Sequence, residues 1–223
     1  MMDRPRVTLK LATSLDGRIA TASGESRWIT GEAARAEVHR LRATHDGVLV
    51  GAETAALDDP ELTARCDPPA PRQPLRVVLD SRLRLSPTSK LMRTLAIAPL
   101  LVIAARDADR GTAKALTDGG AHVAFVPQGL DGLDLPDALG VMKSEHGVET
   151  LLIEGGGRVA GSFLAAGFVD RIEWFRAPLL LGADAKPAVG PLGLEKLAGA
   201  ARYVRVGVRE AGPDLWESYE RKG

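Results

Sequence analysis

The sequence holds a single cysteine, Cys66. No intrachain disulfide can form, and this usage fits a reducing compartment. Histidine is scarce too. His39, His45, His122 and His146 are scattered without metal-ligand spacing, so each reads as a surface or capping residue. The paired H-x-E and P-C-x-x-C set of a zinc deaminase is absent. So are G-x-S-x-G, the Walker A pattern and H-E-x-x-H, which sets aside several classes of hydrolase and nucleotidase. An excess of one charge is also missing, since 29 Lys and Arg balance 29 Asp and Glu. A general nucleic-acid or anionic-membrane binder would need a basic surplus, so any anionic ligand must be met by local positive charge. No apolar run approaches the roughly 18 residues of a membrane span. The opening Met-Met-Asp-Arg-Pro-Arg lacks the apolar core of a signal peptide. Together these absences point to the cytoplasm, with no nucleic-acid or membrane partner.

What is present suits an α/β domain. The 223 residues are long enough for one large domain or two small ones, and 45% are hydrophobic, enough for a full core. Val7–Thr13 alternates as a first strand, with Val7, Leu9 and Leu11 on one face and Lys10 on the other. Lys10 is either a solvated residue on an open face or, if that face is a cleft, a ligand contact. The polar stretch 23–31 carries Trp28 in a chain with only 4% aromatics. By residue type Trp28 could bind a ligand or plug the edge of the core. Thr30 can cap a helix over 32–44. Short strands follow at 47–51, 75–79, 100–104 and 121–126, with helical stretches at 54–58, 112–117 and 136–145. Strands alternating with helices mean βαβ units and a mainly parallel sheet. The end differs: strands at 170–177, 201–210 and 215–220, the last two around Ala211-Gly212-Pro213-Asp214, predict an antiparallel hairpin. Asp58, Asp59 and Glu61 cluster, but no His or Cys completes a metal site, so turn chemistry is the better reading and no metal is expected. Residues 66–74 form a proline-rich exposed loop.

The chain is organised around residues 151–162, Leu-Leu-Ile-Glu-Gly-Gly-Gly-Arg-Val-Ala-Gly-Ser. A buried strand ends, glycines follow, and a helix begins at about Arg158. Such a turn leaves backbone N–H groups pointing outward at the positive end of a helix dipole, which makes an anion site. Glu154 sits at the carboxyl end of the strand, where open α/β sheets hold ligands. The alternative is a tight turn whose glycines serve only sterics. An ordinary dinucleotide fingerprint would lie in the first βα turn, so a nucleotide bound here implies a different nucleotide-binding α/β fold.

Several linked motifs carry a family resemblance. They are Lys10–Arg18 (KLATSLDGR), Ser23–Thr30 (SGESRWIT), Leu41-Arg42-Ala43, Asp58–Arg65 (DDPELTAR), Val78-Leu79-Asp80-Ser81, Glu154-Gly155-Gly156-Gly157 and Ala177–Gly182 (APLLLG). In this order they resemble the reductase domain of the bifunctional riboflavin biosynthesis protein RibD over nearly the whole chain. The resemblance implies a dihydrofolate-reductase-like, three-layer α/β fold, with a single reductase domain and no deaminase domain. It implies NADPH as cofactor, a ribosylamino-pyrimidinone 5′-phosphate as substrate, a ribitylamino product and a homodimer. NADPH would contact Ala12, Trp28, Thr54, Asp58, Ser81 and the turn Gly156, Gly157, Arg158, Val159, Ala160, Gly161 and Ser162. The substrate would contact Ser26, Arg42, Leu62, Arg65 and Glu154, with Arg42 and Arg65 on its phosphate. Lys10 matches the lysine of the family's first strand. With Lys10 as proton donor and Glu154 orienting the substrate, the expected reaction is hydride transfer to the first carbon of the opened ribose. Arg82 and Arg106 have no clear family counterpart and read as solvent-facing. The rival readings are a reductase of another pterin- or pyrimidine-like substrate on the same fold, and a non-catalytic nucleotide-binding protein.

Overall fold

A computed structural model describes residues 3–129 and 132–222. In chain order the first elements are β1 (Arg6–Thr13), β2 (Arg18–Ala20), α1 (Glu32–Thr44), β3 (Gly47–Gly51), α2 (Ala52–Asp58) and β4 (Leu75–Leu79). Next come α3 (Lys90–Arg93), β5 (Leu100–Ala105), α4 (Arg110–Asp118), β6 (His122–Val126), β7 (Gln128–Gly129), β8 (Gly132–Leu133) and α5 (Leu135–Ser144). The chain closes with β9 (Thr150–Gly155), α6 (Gly157–Ala165), β10 (Arg171–Arg176), β11 (Lys186–Pro187), β12 (Tyr203–Ala211) and β13 (Asp214–Arg221). The expected strands and longer helices all form, with ends shifted by a residue or two. The chain divides into two compact units, Met1–Arg6 with His39–Leu152, and Val7–Val38 with Ile153–Gly223.

In the first unit β3, β4, β5 and β6 pair in parallel, with residues 47–51 against 75–79 and 76–79 against 100–103. The strand Val-Leu-Val of β3 and the run Leu-Leu-Val-Ile-Ala-Ala of β5 are buried along their whole length. Strands covered on both faces read as continuous apolar runs, so a short run bounded by turn residues, and not alternation, marks them. Their core includes Val48, Val50, Val78, Leu100, Val102, Leu116 and Leu152. The connecting helices start where a side chain satisfies a free N–H. Asp109 accepts from the Thr112 N–H at 2.6 Å to open α4, and Asp134 accepts from the Asp137 N–H at 3.0 Å to open α5.

Asp46 ties the amino ends of the strands together. Its carboxylate accepts from the Thr150 N–H at 2.8 Å, the Thr150 hydroxyl at 2.9 Å and the Glu149 N–H at 3.0 Å, and it pairs with Arg72. Its own carbonyl accepts from the Leu75 N–H at 2.8 Å. Burial would raise the Asp46 carboxyl pKa; the bonds from Arg72 and Thr150 outweigh it and hold the pKa below the ordinary carboxylate value.

In the second unit β1 runs parallel to β10, β10 pairs antiparallel with β13, and β13 with β12. The terminal hairpin is therefore as the turn residues predict. Val7, Leu9 and Leu11 are buried and Lys10 is half-buried, so the two faces of β1 divide as its alternation implies. Phe175 stacks on Trp216 with ring centroids 5.0 Å apart. Helix α1 begins at Glu32, so Gly31 and not Thr30 stands immediately before it, a correction to the expected cap. The reason is long-range: Asp214, at the start of β13, accepts from the Gly31 N–H at 2.6 Å and fixes the helix entry.

The glycine turn has its own packing. Gly156 caps α6 with φ +84°, a left-handed conformation that glycine alone adopts freely. A Cβ on Gly157 would lie 2.6 Å from the Pro187 carbonyl oxygen, and the Gly190 N–H donates to the Gly157 carbonyl at 2.7 Å.

Two outcomes test these contacts. In Asp46→Ala two backbone N–H groups lose their acceptor, an expected loss of about 1–3 kcal/mol at pH 7 in urea unfolding. Because the folded pKa is depressed, that contribution is complete above the unfolded value and fades as pH falls through the folded one. The gap to wild type should thus narrow below about pH 4, and a constant gap would refute the charge-dependent staple. In Gly157→Ala the added methyl meets backbone, so Tm should fall by an amount equivalent to about 1–3 kcal/mol. An uncrowded helical glycine would instead gain up to about 1 kcal/mol from the same change, so the sign of the shift decides.

Candidate active site

In parallel sheets the carboxyl ends of the strands are the ligand side. The first unit places its expected residues there. Gly51 ends β3, and α2 follows at once with half-buried Thr54 and Asp58. Ser81 lies just beyond β4, half-buried, its carbonyl accepting from the Ala105 N–H at 3.2 Å. Arg82 and Arg106 are exposed, as expected of solvent-facing charge.

The loop after α2 carries the expected substrate residues in an unusual backbone. Asp59 and Leu62 both have positive φ, +40° and +56°. Leu62 is only 2% exposed. A non-glycine residue held there costs on the order of 1–3 kcal/mol, so surrounding contacts must hold it. They do. The Asp59 carboxylate accepts from the Lys90 N–H at 2.7 Å, a long-range bond to the start of α3. Among the described residues no group of three or more His, Cys, Asp or Glu could hold a metal ion. Arg76, wholly buried in β4, donates to the carbonyl of Glu61 at 3.3 Å, to that of Pro99 at 3.3 Å, to the Thr94 hydroxyl at 2.6 Å and to the Ala98 carbonyl. Burial lowers its pKa to about 10, so it stays charged at neutral pH.

Arg42 and Arg65 converge on one residue of this loop. Arg42, from the last turn of α1, donates to the Thr63 carbonyl at 3.0 Å. Arg65 donates to the Thr63 hydroxyl at 3.1 Å and to Glu61 at 2.9 Å. The Arg65 side chain is 58% exposed, which leaves guanidinium N–H groups for a ligand. His39 joins them, its Nδ1 lying 3.1 Å from the Thr63 carbonyl and 3.2 Å from the Arg65 N–H. A single nitrogen serves one of these at a time, according to its tautomer. Gln73 closes the far side, its amide bonding both backbone groups of Ala64. His39, Arg76 and Gln73 were not among the expected residues. Their partners are backbone groups distant in sequence, a relation that no local pattern records.

The second unit carries the rest. Lys10 and Ala12 lie on β1 on the face opposite Leu9 and Leu11, both half-buried. Lys10 sits in register with Glu173 of β10. Glu173 is buried and accepts from Trp216 Nε1 at 2.5 Å, Ser218 Oγ at 2.6 Å and Arg171 Nε at 2.5 Å. Ser26 is half-buried. Trp28 is 69% exposed, so it does not plug the core; the Arg35 guanidinium lies 4.5 Å from its ring centroid. Glu154 is half-buried on the last turn of backbone before the glycines. In α6 the first hydrogen bond of the helix runs from the Ala160 N–H to the Gly156 carbonyl. The N–H groups of Gly157, Arg158 and Val159 precede it, with no acidic side chain in the first turn to occupy them. Arg158 is exposed, Val159 and Ser162 are half-buried, and Ala160 and Gly161 are buried. Gly161 is buried, and a Cβ there would lie 3.2 Å from the Gly190 backbone, so the inner side of this helix serves packing.

A cavity of about 240 Å³ lies at the other end of the first unit's strands, among Asp46, Arg72, His122 and His146, and none of the expected site residues lines it.

The comparisons with known proteins agree with this arrangement. A family model described as the RibD C-terminal domain matches residues 5–216. The riboflavin biosynthesis protein RibD of Bacillus amyloliquefaciens is 36% identical over 212 residues, covering 95% of this chain and 56% of its own length. Acinetobacter baumannii RibD, form 1, superposes with a TM-score of 0.86 at 30% identity, over 99% of this chain and 59% of that one. A Thermotoga maritima diaminohydroxyphosphoribosylaminopyrimidine deaminase/5-amino-6-(5-phosphoribosylamino)uracil reductase matches with a TM-score of 0.77 at 26% identity, over 98% of this chain and 57% of that one. The chain thus spans a little over half the length of the curated relatives it matches. Its fold is the mainly parallel, dihydrofolate-reductase-like α/β fold with an antiparallel terminal strand pair. By sequence and by fold, the chain belongs to the RibD C-terminal domain family.

Proposed function

We propose that this chain catalyses the NADPH-dependent reduction of 5-amino-6-(5-phosphoribosylamino)uracil to its ribitylamino product, in riboflavin biosynthesis. The observation that carries the reading is the meeting of Arg42 and Arg65 on Thr63, in the loop that Gln73 and Arg76 hold. Two guanidinium groups fixed on one residue suit a phosphate monoester. The residues also fit a nicotinamide dinucleotide. The first turn of α6 carries no acidic side chain beside its leading N–H groups, and Trp28 offers an exposed ring face.

When bound, the cofactor supplies a hydride to the first carbon of the opened ribose. The chain's own groups do the rest. Arg42 and Arg65 hold the 5′-phosphate and so fix the sugar. Glu154 orients the substrate by accepting its N–H or O–H. Lys10 donates the proton that balances the hydride and places positive charge where negative charge develops. Proton and hydride together convert the C=N or C=O of the opened sugar into its saturated product.

The half-buried, unpaired Cys66 suits a reducing cytoplasm, and among the described residues no helix is long and apolar enough to cross a membrane. A homodimer is part of this reading. Val204, Val206 and Val208 lie on β12, the outer strand of its sheet, around a register shift between Arg205 and Gly207, and are 52%, 52% and 48% exposed. Three half-exposed valines on one edge strand suit burial against a second copy.

The central test follows NADPH oxidation with the ribosylamino-pyrimidine phosphate. Lys10→Met and Glu154→Gln should each lower kcat by about 100- to 10,000-fold while leaving NADPH affinity nearly unchanged. Arg65→Ala should instead raise KM, since it loosens the phosphate in ground and transition states alike. Binding of NADPH without turnover on any pathway pyrimidine would make the chain a nucleotide-binding protein and defeat the proposal. Light scattering should give a dimer at micromolar concentration, and Val206→Glu should shift it to monomer; a wild-type monomer would remove the second copy from the reading.

A further inference from the structure

We propose that Gln73 is a positioning residue for the substrate phosphate: it buckles the loop 59–65 so that Arg42 and Arg65 present their guanidinium groups in a fixed geometry. The inference rests on the reading that these two arginines grip that phosphate.

Gln73 is the last residue but one of the proline-rich connector 66–74 and stands two residues before β4 begins at Leu75. Its Oε1 accepts from the Ala64 N–H at 2.7 Å, and its Nε2 donates to the Ala64 carbonyl at 2.9 Å. One carboxamide thus does for Ala64 what a neighbouring strand would do. Among side chains of this length only glutamine offers donor and acceptor together without charge. Ala64 lies between Thr63, which both arginines touch, and Arg65 itself.

The other end of the loop is held from the same strand. Arg76 of β4 donates to the Glu61 carbonyl at 3.3 Å. Between these two anchors sits Leu62, buried at φ +56°. A leucine freed from restraint leaves the left-handed region for negative φ. With Gln73 gone, Leu62 can relax, Thr63 shifts, and the point on which Arg42 and Arg65 converge moves with it. The connector 66–74 is then more than a link: it carries the buckle from the sheet to the phosphate loop.

The test compares the full chain with Gln73→Ala, Gln73→Glu and Arg65→Ala, using the ribosylamino-pyrimidine 5′-phosphate and the same compound without its phosphate. Both Gln73 variants should raise KM for the phosphorylated substrate by about 10-fold or more, the scale on which small misplacements act. Their kcat and NADPH affinity should stay within about twofold, and kcat/KM for the dephosphorylated compound should match wild type, because a general loss of structure would not spare it. A Gln73 variant with wild-type KM, or one equally impaired on both compounds, overturns the inference. If Arg65→Ala leaves KM unchanged, the phosphate reading itself fails; if it raises KM and the Gln73 variants do not, only the role of Gln73 fails. Should Gln73→Ala not fold, the nearly isosteric Gln73→Glu makes the same comparison. Hydrogen exchange adds a reading on the wild-type protein, where protection of the Ala64 amide supports the buckle and free exchange overturns it.

Discussion

Strands β3 and β5 are buried from end to end, and β4 for all but its last residue. A parallel strand covered on both faces has room for polar chemistry only at its two ends. That constraint sorts the first unit. At the amino ends the polar groups staple: Asp46 collects the N–H groups of Glu149 and Thr150 and the guanidinium of Arg72. At the carboxyl ends stand Thr54 and Asp58 after β3 and Ser81 after β4, beside the buried Asp80, whose carboxylate accepts from the Leu85 N–H at 2.8 Å. Since the strands are parallel, each kind of end gathers on one side of the sheet. The staples at the amino ends matter to the whole sheet of this unit, because they fix the register from which the carboxyl ends are aimed.

Arg76 is the exception inside this apolar layer. An unpaired buried guanidinium would be expensive, so its partners must come to it. They are the Glu61, Thr94, Ala98 and Pro99 carbonyls and the Thr94 hydroxyl. Satisfying one interior charge therefore draws two loops onto β4. One is the loop whose backbone holds Asp59 and Leu62 at positive φ. Strain at Leu62 and the buried charge of Arg76 are complementary, since the charge supplies part of the restraint that the strained backbone requires.

The legibility of the sequence follows from the same division. The buried strands and amphipathic helices could be read because their signal is local, an apolar run or a helical stripe bounded by Gly, Pro or Asp. The four-residue helix α3 was missed because so short a segment has no periodicity to detect. Thr30 looked like a cap because the Asp214 carboxylate that binds Gly31 is 183 residues away in sequence. The exposure of Trp28 could not be decided from its type, since indole serves cores and ligands alike. Arg42, Arg65, Lys10 and Glu154 are expected site residues through family motifs alone; of these, Lys10 has the half-buried placement that the alternation of its strand implies. Gln73, His39 and Arg76 were not legible, because what they do is hold main-chain atoms that only the folded chain brings near.

The glycine turn shows how two explanations can share one stretch of sequence. Gly156 is required by its positive φ, and Gly157 by the Pro187 carbonyl against which it packs. Both requirements hold with no ligand at all, so the glycines themselves do not argue for a phosphate. The argument lies in what surrounds them. The contact of Gly157 and Gly161 with residues 187–190 fixes the axis of α6 from its inner side. A helix so fixed presents its first N–H groups in a constant direction. Its first turn carries no acidic side chain, although Asp or Glu is the ordinary choice at that position. Acidic residues are favoured there because they neutralise the dipole, and α6 begins without one. The close packing on its inner side is thus what gives this helix end its geometry.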